Sequence, residues 1–231
     1  MLSILTKPEA KIFEKEPETK KQEERYNPYI NNEGTVMAIA GKDYVIVAGD
    51  TRLSNSYSIE SRNTSKLCKL TETCIMSASG MHADIVNLEK YLKARIEIYR
   101  STNKRDPSLE SIAQMLSVTL YSKRFFPYYS FTVLSGKKED GSFTNYGYDA
   151  IGSYEQFKSG ATGSGQKLVV SVLDNVLKRN PNINENEAKK LILDTMNGAS
   201  CRDIHTGDAV EIMVLRSNGD CLTEKYPLRR D

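Results

Sequence analysis

The chain has 231 residues and a formal net charge of +2, with 27% charged and 39% hydrophobic residues. This length fits one large domain whose hydrophobic core is big enough that neither a metal ion nor a disulfide is needed for stability. The nearly balanced charge gives no electrostatic reason to expect a nucleic acid or an acidic membrane as a partner.

Residues 1–27 differ in composition from the rest of the chain. The stretch KIFEKEPETKKQEER consists almost entirely of charged and polar residues. It cannot bury enough apolar surface to offset the entropy lost on ordering. The apolar patch Leu2-Ser3-Ile4-Leu5 is too short for the core of a signal peptide, and the many glutamates are not typical of a transit peptide. We therefore predict a flexible or partner-dependent tail, with a solvated helix as the alternative, followed by a single domain over residues 28–231. No apolar run is long enough to predict a transmembrane helix.

Two β-hairpins are predicted in the first third of the domain. The Val- and Ile-rich runs Thr35–Ala40 and Tyr44–Ala48 are separated by turn residues and predict a hairpin buried on both faces. The runs Lys66–Leu70 and Cys74–Ser79 predict a second hairpin, and we expect the two hairpins to form one antiparallel sheet. The polar residues 51–65 between them predict an extended surface excursion.

Four helices are predicted, three of them from apolar residues at helical spacing and the fourth from its start signal. They cover residues 83–101, a stretch that starts after Asp106-Pro107-Ser108, residues 166–178, and a stretch from Asn184 to near Ser200. Proline and the capping residues favour the start of the second helix. Glu187, three residues after Asn184, predicts a capping box for the fourth. The predicted inward stripe of the third helix is Leu168, Val169, Val172, Leu173 and Val176.

The remaining elements are strands, and their order predicts the fold class. Strands are predicted at residues 129–135, 143–148, near 153–158, 209–215 and 221–226, with an Asn218-Gly219 turn between the last two. Runs of strands therefore alternate with pairs of helices. This order predicts an α+β fold in which two antiparallel sheets pack face to face and helix pairs cover their outer sides, a four-layer α-β-β-α sandwich.

Two features that suggest ligand chemistry are weak on inspection. The glycine-rich segment Gly160–Gly165 lacks the Lys-Ser/Thr ending of a P-loop and the spacing of a dinucleotide fingerprint, so we predict a strand-to-helix turn there. The four cysteines form no C-x-x-C pair, and we expect reduced, mostly buried thiols, no metal and no cofactor. The cysteines are Cys68, Cys74, Cys201 and Cys221, and the only histidines are His82 and His205. A disulfide between Cys68 and Cys74 is the alternative.

Polar residues at the ends of the predicted elements form a candidate site, because sites are usually built there. They are Asp50, Lys66, Gly80, Ser164 and the loop Cys201-Arg202-Asp203-Ile204-His205-Thr206-Gly207. A buried lysine beside carboxylates can lower the pKa of a nearby hydroxyl or amine, and the Gly80 amide can act as an oxyanion donor. A structural ion-pair network explains the same residues equally well.

Five motifs spread over the domain occur in a fixed order. They are GTVMAIAGKDYVIVAGDTR at 34–52, SKL at 65–67, SASG at 77–80, GSG at 163–165 and CRDIHTGD at 201–208. Together they resemble the motifs of β-type subunits of the 20S proteasome, and the resemblance runs from about residue 28 to the C-terminus. It implies an N-terminal-nucleophile hydrolase-like fold, whose four-layer sandwich agrees with the layout predicted above.

The resemblance also implies roles for individual residues. In catalytic members of this family an N-terminal Thr, freed by removal of a propeptide, is the nucleophile, and its amine is the base. The family's supporting residues fall on Asp50, Lys66, Gly80, Ser164, Asp203 and Thr206, the last being a Thr where Ser is usual. The nucleophile position falls on Gly34, which has no hydroxyl. Thr35 is the alternative nucleophile, but one step along a strand turns a side chain to the opposite face.

The resemblance therefore implies a non-catalytic structural β subunit that supports assembly of the β ring in ubiquitin-dependent protein degradation. Its expected partners are neighbouring β subunits, α-ring subunits and the opposite β ring, in the cytoplasm and nucleus, without nucleic acid or membrane. Candidate contact surfaces are Phe125–Tyr129 and Tyr226–Asp231, for which a core plug and a frayed terminus are the alternatives. The alternative functions are a threonine endopeptidase cleaved between Gly34 and Thr35, and a small-amide hydrolase that needs the same terminal nucleophile.

Overall fold

A computed structural model describes residues 27–229 of the chain. The predicted charged tail lies outside the described residues except for Asn27, and residues 230 and 231 lie outside them as well. Within the described range, no helix combines the length and apolar character needed to cross a bilayer.

The described residues form twelve strands and four helices. In chain order these are β1 (Thr35–Ala40), β2 (Tyr44–Asp50), β3 (Leu53–Asn55), β4 (Ser58–Ser61), β5 (Leu67–Thr71), β6 (Cys74–Gly80), α1 (His82–Asn103), α2 (Leu109–Tyr121), β7 (Ser130–Lys137), β8 (Phe143–Tyr148), β9 (Tyr154–Phe157), β10 (Ser159–Gly163), α3 (Gln166–Arg179), α4 (Glu185–Ser200), β11 (Ala209–Arg216) and β12 (Cys221–Pro227).

The strands form two five-stranded antiparallel sheets, with orders β10-β1-β2-β11-β12 and β5-β6-β7-β8-β9. Both early hairpins are confirmed, since β1 pairs with β2 and β5 pairs with β6. The prediction that they share one sheet is wrong. The second edge of β1 pairs with β10 and that of β2 pairs with β11, so the hydrogen-bonding edges of the first hairpin are taken by strands from the far end of the chain.

Two strand regions were missed by the sequence patterns. Residues 51–65 contain the small β3-β4 hairpin, whose polar residues show no apolar alternation. The glycine-rich segment is partly strand β10 and not only a turn. Gly163 pairs with Thr35 and has a φ of +105°. A Cβ added at Gly163 would lie 1.9 Å from the Gly34 carbonyl oxygen. Glycine is therefore required here by the close approach of two backbones.

The four predicted helices are confirmed, including their starts. The Ser108 hydroxyl accepts a hydrogen bond from the Ser111 amide at 3.2 Å at the start of α2. At the start of α4, Asn184 and Glu187 form the predicted reciprocal capping box.

The predicted inward stripe of α3 is only partly correct. Val169 and Leu173 are fully buried, whereas Leu168 and Val172 are 41% and 40% exposed. The buried residues lie one turn apart, and each exposed residue immediately precedes a buried one and so lies about 100° around the helix axis. Only a narrow stripe of α3 therefore faces the core.

Three hydrophobic clusters hold the elements together. The first joins the first sheet to α3 and α4 through residues such as Met37, Ile46, Val169 and Ile192. The second joins the second sheet to α1 and α2 through residues such as Met76, Leu92, Leu116 and Leu134. The third contains residues of both sheets, among them Ala38, Val47, Ile75 and Val133. Alternate residues of β1 and β2 thus enter different clusters, which explains why both strands are apolar along their whole length.

Candidate functional site

The centre of the site is a buried ion pair between Lys66 and Asp50. Asp50 is the last residue of β2 and fully buried, and Lys66 precedes β5 and is 7% exposed. The Lys66 Nζ lies 3.1 Å from Asp50 Oδ1, and it donates hydrogen bonds to the Asp50 carbonyl at 2.9 Å and the Arg52 carbonyl at 2.6 Å. An ammonium group has three protons. All three therefore have acceptors within the chain.

The Asp50 carboxylate is held equally firmly. Its Oδ1 accepts a hydrogen bond from the Thr35 amide at 2.8 Å, and its Oδ2 accepts from the amides of Arg52 at 3.1 Å and Gly207 at 3.3 Å. Burial raises the pKa of the Asp50 carboxyl, and the Lys66 ammonium and the backbone amides of Thr35 and Gly207 oppose that shift. Asp50 thus joins β1, β2 and the loop that precedes β11.

Gly34 lies directly against this ion pair. It has a φ of +83°, and a Cβ added there would lie 2.6 Å from Lys66 Nζ and 2.7 Å from Asp50 Oδ1. Its carbonyl oxygen accepts a hydrogen bond from the Ser164 amide at 3.0 Å. The position that resembles the family's nucleophile site is therefore beside the lysine, but it presents only backbone atoms.

The Thr35 hydroxyl belongs to a second hydrogen-bond network. It lies 2.7 Å from the Thr206 hydroxyl and accepts a hydrogen bond from the Gly165 amide at 2.9 Å. The hydroxyls of Thr206 and Ser164 donate to the same oxygen of Asp203, at 2.5 Å and 2.6 Å. Thr35 is fully buried, and within the described chain its hydroxyl forms no hydrogen bond with Lys66.

Gly80 lies at the end of β6 with a φ of +126°. Its carbonyl accepts a hydrogen bond from the Asn32 amide at 3.1 Å. Together with Glu33 and Ser164 it lines a groove of about 300 Å³. A smaller hollow is lined by both Gly80 and Lys66. The structure thus brings most of the residues that the sequence singles out into one region, although they come from distant parts of the chain, whereas Cys201 and Arg202 line a separate pocket.

The segment before Gly34 also contributes residues that sequence reasoning missed. The Asn32 side chain accepts a hydrogen bond from the His82 amide at 2.9 Å and donates one to the Ser54 carbonyl at 3.1 Å. Glu33 Oε2 lies 3.2 Å from Nε2 of His205, whose Nδ1 lies 3.0 Å from the Ser54 hydroxyl. No spacing in the sequence links these residues, because each contact joins a different segment.

Asp208 is a second buried carboxylate without an assigned role in the sequence patterns. Arg52 Nε and Arg62 Nη1 donate to it at 2.8 Å and 2.6 Å. Burial raises the pKa of Asp208, but the two guanidinium groups more than offset this effect and hold the pKa below its usual value. Arg52 directly follows the apolar strand β2, where a charged group needs a partner. The Asp208 carboxylate is that partner.

The other candidate groups do not form a metal site. No group of three or more His, Cys, Asp or Glu side chains between residues 27 and 229 is arranged to hold a metal ion. All four cysteines are free thiols, so the alternative disulfide is absent. Cys68 and Cys74 are buried, whereas Cys201 is exposed.

The aromatic patch near α2 lies on the surface. Phe125 and Phe126 are 93% and 65% exposed, so the alternative of a core plug is wrong for these two residues, whereas Tyr128 packs against the second cluster. Tyr29 stacks on Phe126 with ring centroids 5.5 Å apart, and its hydroxyl donates to the Pro127 carbonyl at 2.6 Å. The segment that precedes Gly34 thus supports Phe126 and the backbone that follows it.

Comparison with known proteins identifies close relatives. A family model described as proteasome subunit matches residues 30–215. The chain is 46% identical to proteasome subunit beta type-1 of Arabidopsis thaliana, over 91% of this chain and 99% of the relative. It is 40% identical to the beta type-1 subunit of Dictyostelium discoideum, over 93% and 96%, and 39% identical to that of Danio rerio, over 90% and 91%. The segments NPY at 27–29, RFFPYY at 124–129 and GSY at 152–154 indicate this same member, the subunit at the sixth β position.

Proposed function

This chain belongs to the proteasome subunit family, and from that premise we propose that it is a non-catalytic structural β subunit of the 20S core particle. In this role it supports assembly of the β ring in ubiquitin-dependent protein degradation. The particle is a threonine-type endopeptidase, and this subunit contributes structure to it.

The observation that carries the proposal is the backbone and surroundings of Gly34. A threonine-type mechanism needs a hydroxyl beside the lysine that activates it. Gly34 has none, and its φ of +83° is one that a threonine adopts only with strain. A Cβ there would also lie 2.4 Å from Lys66 Cε. The pocket is therefore filled by the ion pair itself.

The satisfied Lys66 ammonium supports the same conclusion. Its three acceptors are all groups of the chain, namely one carboxylate oxygen and the carbonyls of Asp50 and Arg52. Such a group fastens the end of β2 to the start of β5 and thereby connects the two sheets. We assign Asp50, Lys66, Gly80, Ser164, Asp203 and Thr206 to a vestigial site whose present role is structural.

The three hydrophobic clusters support a four-layer α-β-β-α sandwich for this fold. One cluster lies between each sheet and its helix pair, and the third joins the two sheets. In this arrangement the exposed sides of all four helices and the ends of the strands are available to other subunits.

The proposed partners are neighbouring β subunits, α-ring subunits and the opposite β ring, in the cytoplasm and nucleus. The exposed aromatic patch Phe125–Phe126 is one proposed contact surface, because large apolar side chains at this exposure are typical of interfaces. The C-terminal segment Tyr226–Asp231 is a second. Within it Leu228 is buried in the first cluster, which contradicts the alternative of a frayed terminus at that residue.

N-terminal sequencing and the intact mass of the chain isolated from core particles test the proposal. We expect a chain that begins before Gly34 and is not labelled by an electrophile directed at catalytic threonines. A chain that begins at Thr35 and reacts with that electrophile would instead establish the threonine endopeptidase. The labelled catalytic subunits of the same particles serve as the positive control.

A further inference from the structure

An open pocket of about 860 Å³ lies between the β3-β4 hairpin and the loop that follows α4. Four arginines line it, Arg52, Arg62, Arg202 and Arg229, and we call it the arginine pocket. The arginine pocket is lined by the Asp203–Thr206 loop. It shares no lining residue with the groove that is lined by Gly80, Glu33 and Ser164.

The charges of the arginine pocket do not cancel. Arg52 and Arg62 share the single carboxylate of Asp208. Arg202 and Arg229 are exposed, and neither has a carboxylate within salt-bridge distance among residues 27–229. Asp203 is the only acidic residue in the lining, and the hydroxyls of Ser164 and Thr206 already occupy one of its oxygens. Four guanidinium groups therefore face two carboxylates.

The wall of the pocket also carries hydroxyl groups and apolar side chains. The serines are Ser54, Ser56, Ser58 and Ser200. Tyr57 is 95% exposed, Ile204 60% and Ile59 40%. A small inorganic anion would use the arginines and leave these apolar side chains uncovered. A polypeptide segment that combines carboxylates with an apolar side chain would use both sets of contacts.

We propose that the arginine pocket binds an acidic segment of another subunit of the core particle. Its carboxylates pair with Arg202 and Arg229, and an adjacent apolar side chain packs on Tyr57 and Ile204. Guanidinium groups favour this role because they form paired hydrogen bonds with carboxylates in a planar geometry. That the partner is another subunit rests on the proposed function. That the bound segment is acidic is inferred from the arginines of the pocket alone.

Photo-crosslinking in purified core particles tests the proposal. A benzoylphenylalanine placed at Tyr57, whose side chain projects from the rim, is irradiated in particles that contain the full chain. We expect one dominant adduct, on another subunit, at a segment with at least two Asp or Glu residues close to the crosslinked position. An adduct at a segment without acidic residues, or no protein adduct, would overturn the proposal.

Charge reversal provides an independent measurement. The double variant Arg202→Glu with Arg229→Glu should lower incorporation into particles roughly tenfold relative to the natural chain, since like charges then oppose each other across the contact. The matched variant Arg202→Lys with Arg229→Lys keeps the charge and should incorporate to within a few fold. Equal incorporation of both variants would contradict the proposal. Failure of the unaltered chain to co-purify with particles would instead remove the proposed function itself.

Discussion

Gly34 combines a positive φ with contact to two charged side chains. L-amino acids other than glycine pay roughly 1–2 kcal/mol in this region of backbone space. The neighbouring atoms add a second cost, because the Lys66 side chain has to leave its three acceptors to make room for a side chain at residue 34. A side chain at residue 34 would therefore be opposed both by the backbone conformation and by the neighbouring atoms.

We predict that Gly34→Thr alone restores little peptidase activity. The new hydroxyl would displace Lys66 and would still be preceded by a peptide bond unless the chain is also processed. Hydrolysis of peptide substrates by core particles that carry the variant, with their catalytic subunits inhibited, measures this. Gly141→Thr is the control, because Gly141 also has a positive φ but nothing near its Cβ position. Strong new turnover in the Gly34 variant would contradict the prediction.

Removal of the Lys66 side chain should lower the stability of the chain and leave the peptidase activity of the particle unchanged. In the Lys66→Ala chain the fully buried Asp50 carboxylate loses its cation, and we expect the free energy of unfolding to fall by about 3–5 kcal/mol. Denaturant titration of the purified chain measures this change. Lys69→Ala, in strand β5 close to Lys66, removes a surface pair with Glu72 and should cost less than about 1 kcal/mol.

The peptidase activity of intact particles that contain the Lys66→Ala subunit should stay largely unchanged. A selective loss of one cleavage specificity in such particles would show that Lys66 takes part in catalysis.

The Asp208 ion pairs predict a pH dependence of stability. Burial acts to raise the pKa of Asp208, but the guanidinium groups of Arg52 and Arg62 bring that pKa below its usual value. The folded state therefore favours the carboxylate, so its contribution is present above the pKa of the unfolded chain and is lost as the pH falls through the lower folded-state pKa.

Asp208→Asn should accordingly be less stable than the natural chain at neutral pH, and the difference should shrink at strongly acidic pH. Asparagine is a suitable replacement because it has nearly the same shape as aspartate and tolerates the φ of 68° at this position. Thermal denaturation over a pH series measures the effect, with the exposed residue change Asp194→Asn as the comparison. A difference that is constant with pH would exclude the ion pairs as its cause.

At the scale of elements, α3 shows how narrow a buried stripe can be. Val169 and Leu173 face the cluster shared with the first sheet, and Leu168 and Val172 are about 40% exposed on the adjoining side. Exposed leucine and valine next to a buried stripe offer a surface to another subunit, and they also explain why spacing alone overestimates the core.

A pair of leucines on α3 allows a matched test of this assignment. Leu173→Ala should lower the free energy of unfolding of the isolated chain by about 2–5 kcal/mol, because it leaves a cavity in the core. Leu168→Ala removes the same atoms from a half-exposed site and should cost less than about 1 kcal/mol. Denaturant titration of both variants measures the difference. Equal losses would place Leu168 in the core and contradict the structure.

At the scale of the whole molecule, the two sheets and their helix pairs leave the aromatic patch outside all three clusters. Phe125 has 93% of its surface exposed, although Tyr29 stacks on its neighbour Phe126. An exposed phenylalanine is suited to anchor an interface, because a partner that covers it removes a large apolar surface from water.

Phe125→Asp should therefore reduce incorporation into core particles by roughly tenfold or more, as expected for an interface anchor. The variant should leave the stability of the isolated chain nearly unchanged. The ratio of incorporated to free tagged chain measures the first effect, and thermal denaturation measures the second. Phe125→Leu keeps the apolar contact and should incorporate far better than Phe125→Asp. Normal incorporation of the Asp variant would exclude Phe125 from the interface.

The sequence by itself determined the strands, helices and caps that depend on near neighbours. The spacing of apolar residues located α1, and apolar runs separated by turn residues located β1 and β2. The Asn184–Glu187 capping box, which located the start of α4, requires only contacts three residues apart. The motifs that resemble the proteasome subunits also identified Gly34, Asp50 and Lys66 as a group. These signals depend on neighbouring residues or on short motifs, so they can be read from one sequence.

Only the tertiary structure decided how those segments meet. It placed the two early hairpins in different sheets and made an edge strand of a glycine-rich segment, because the partners of β1 and β2 come from residues beyond 158. It also filled the space at Gly34 with a fully bonded lysine and gathered four arginines into one pocket. Each of these facts depends on distances between residues that are far apart in the chain, and no local pattern records such distances.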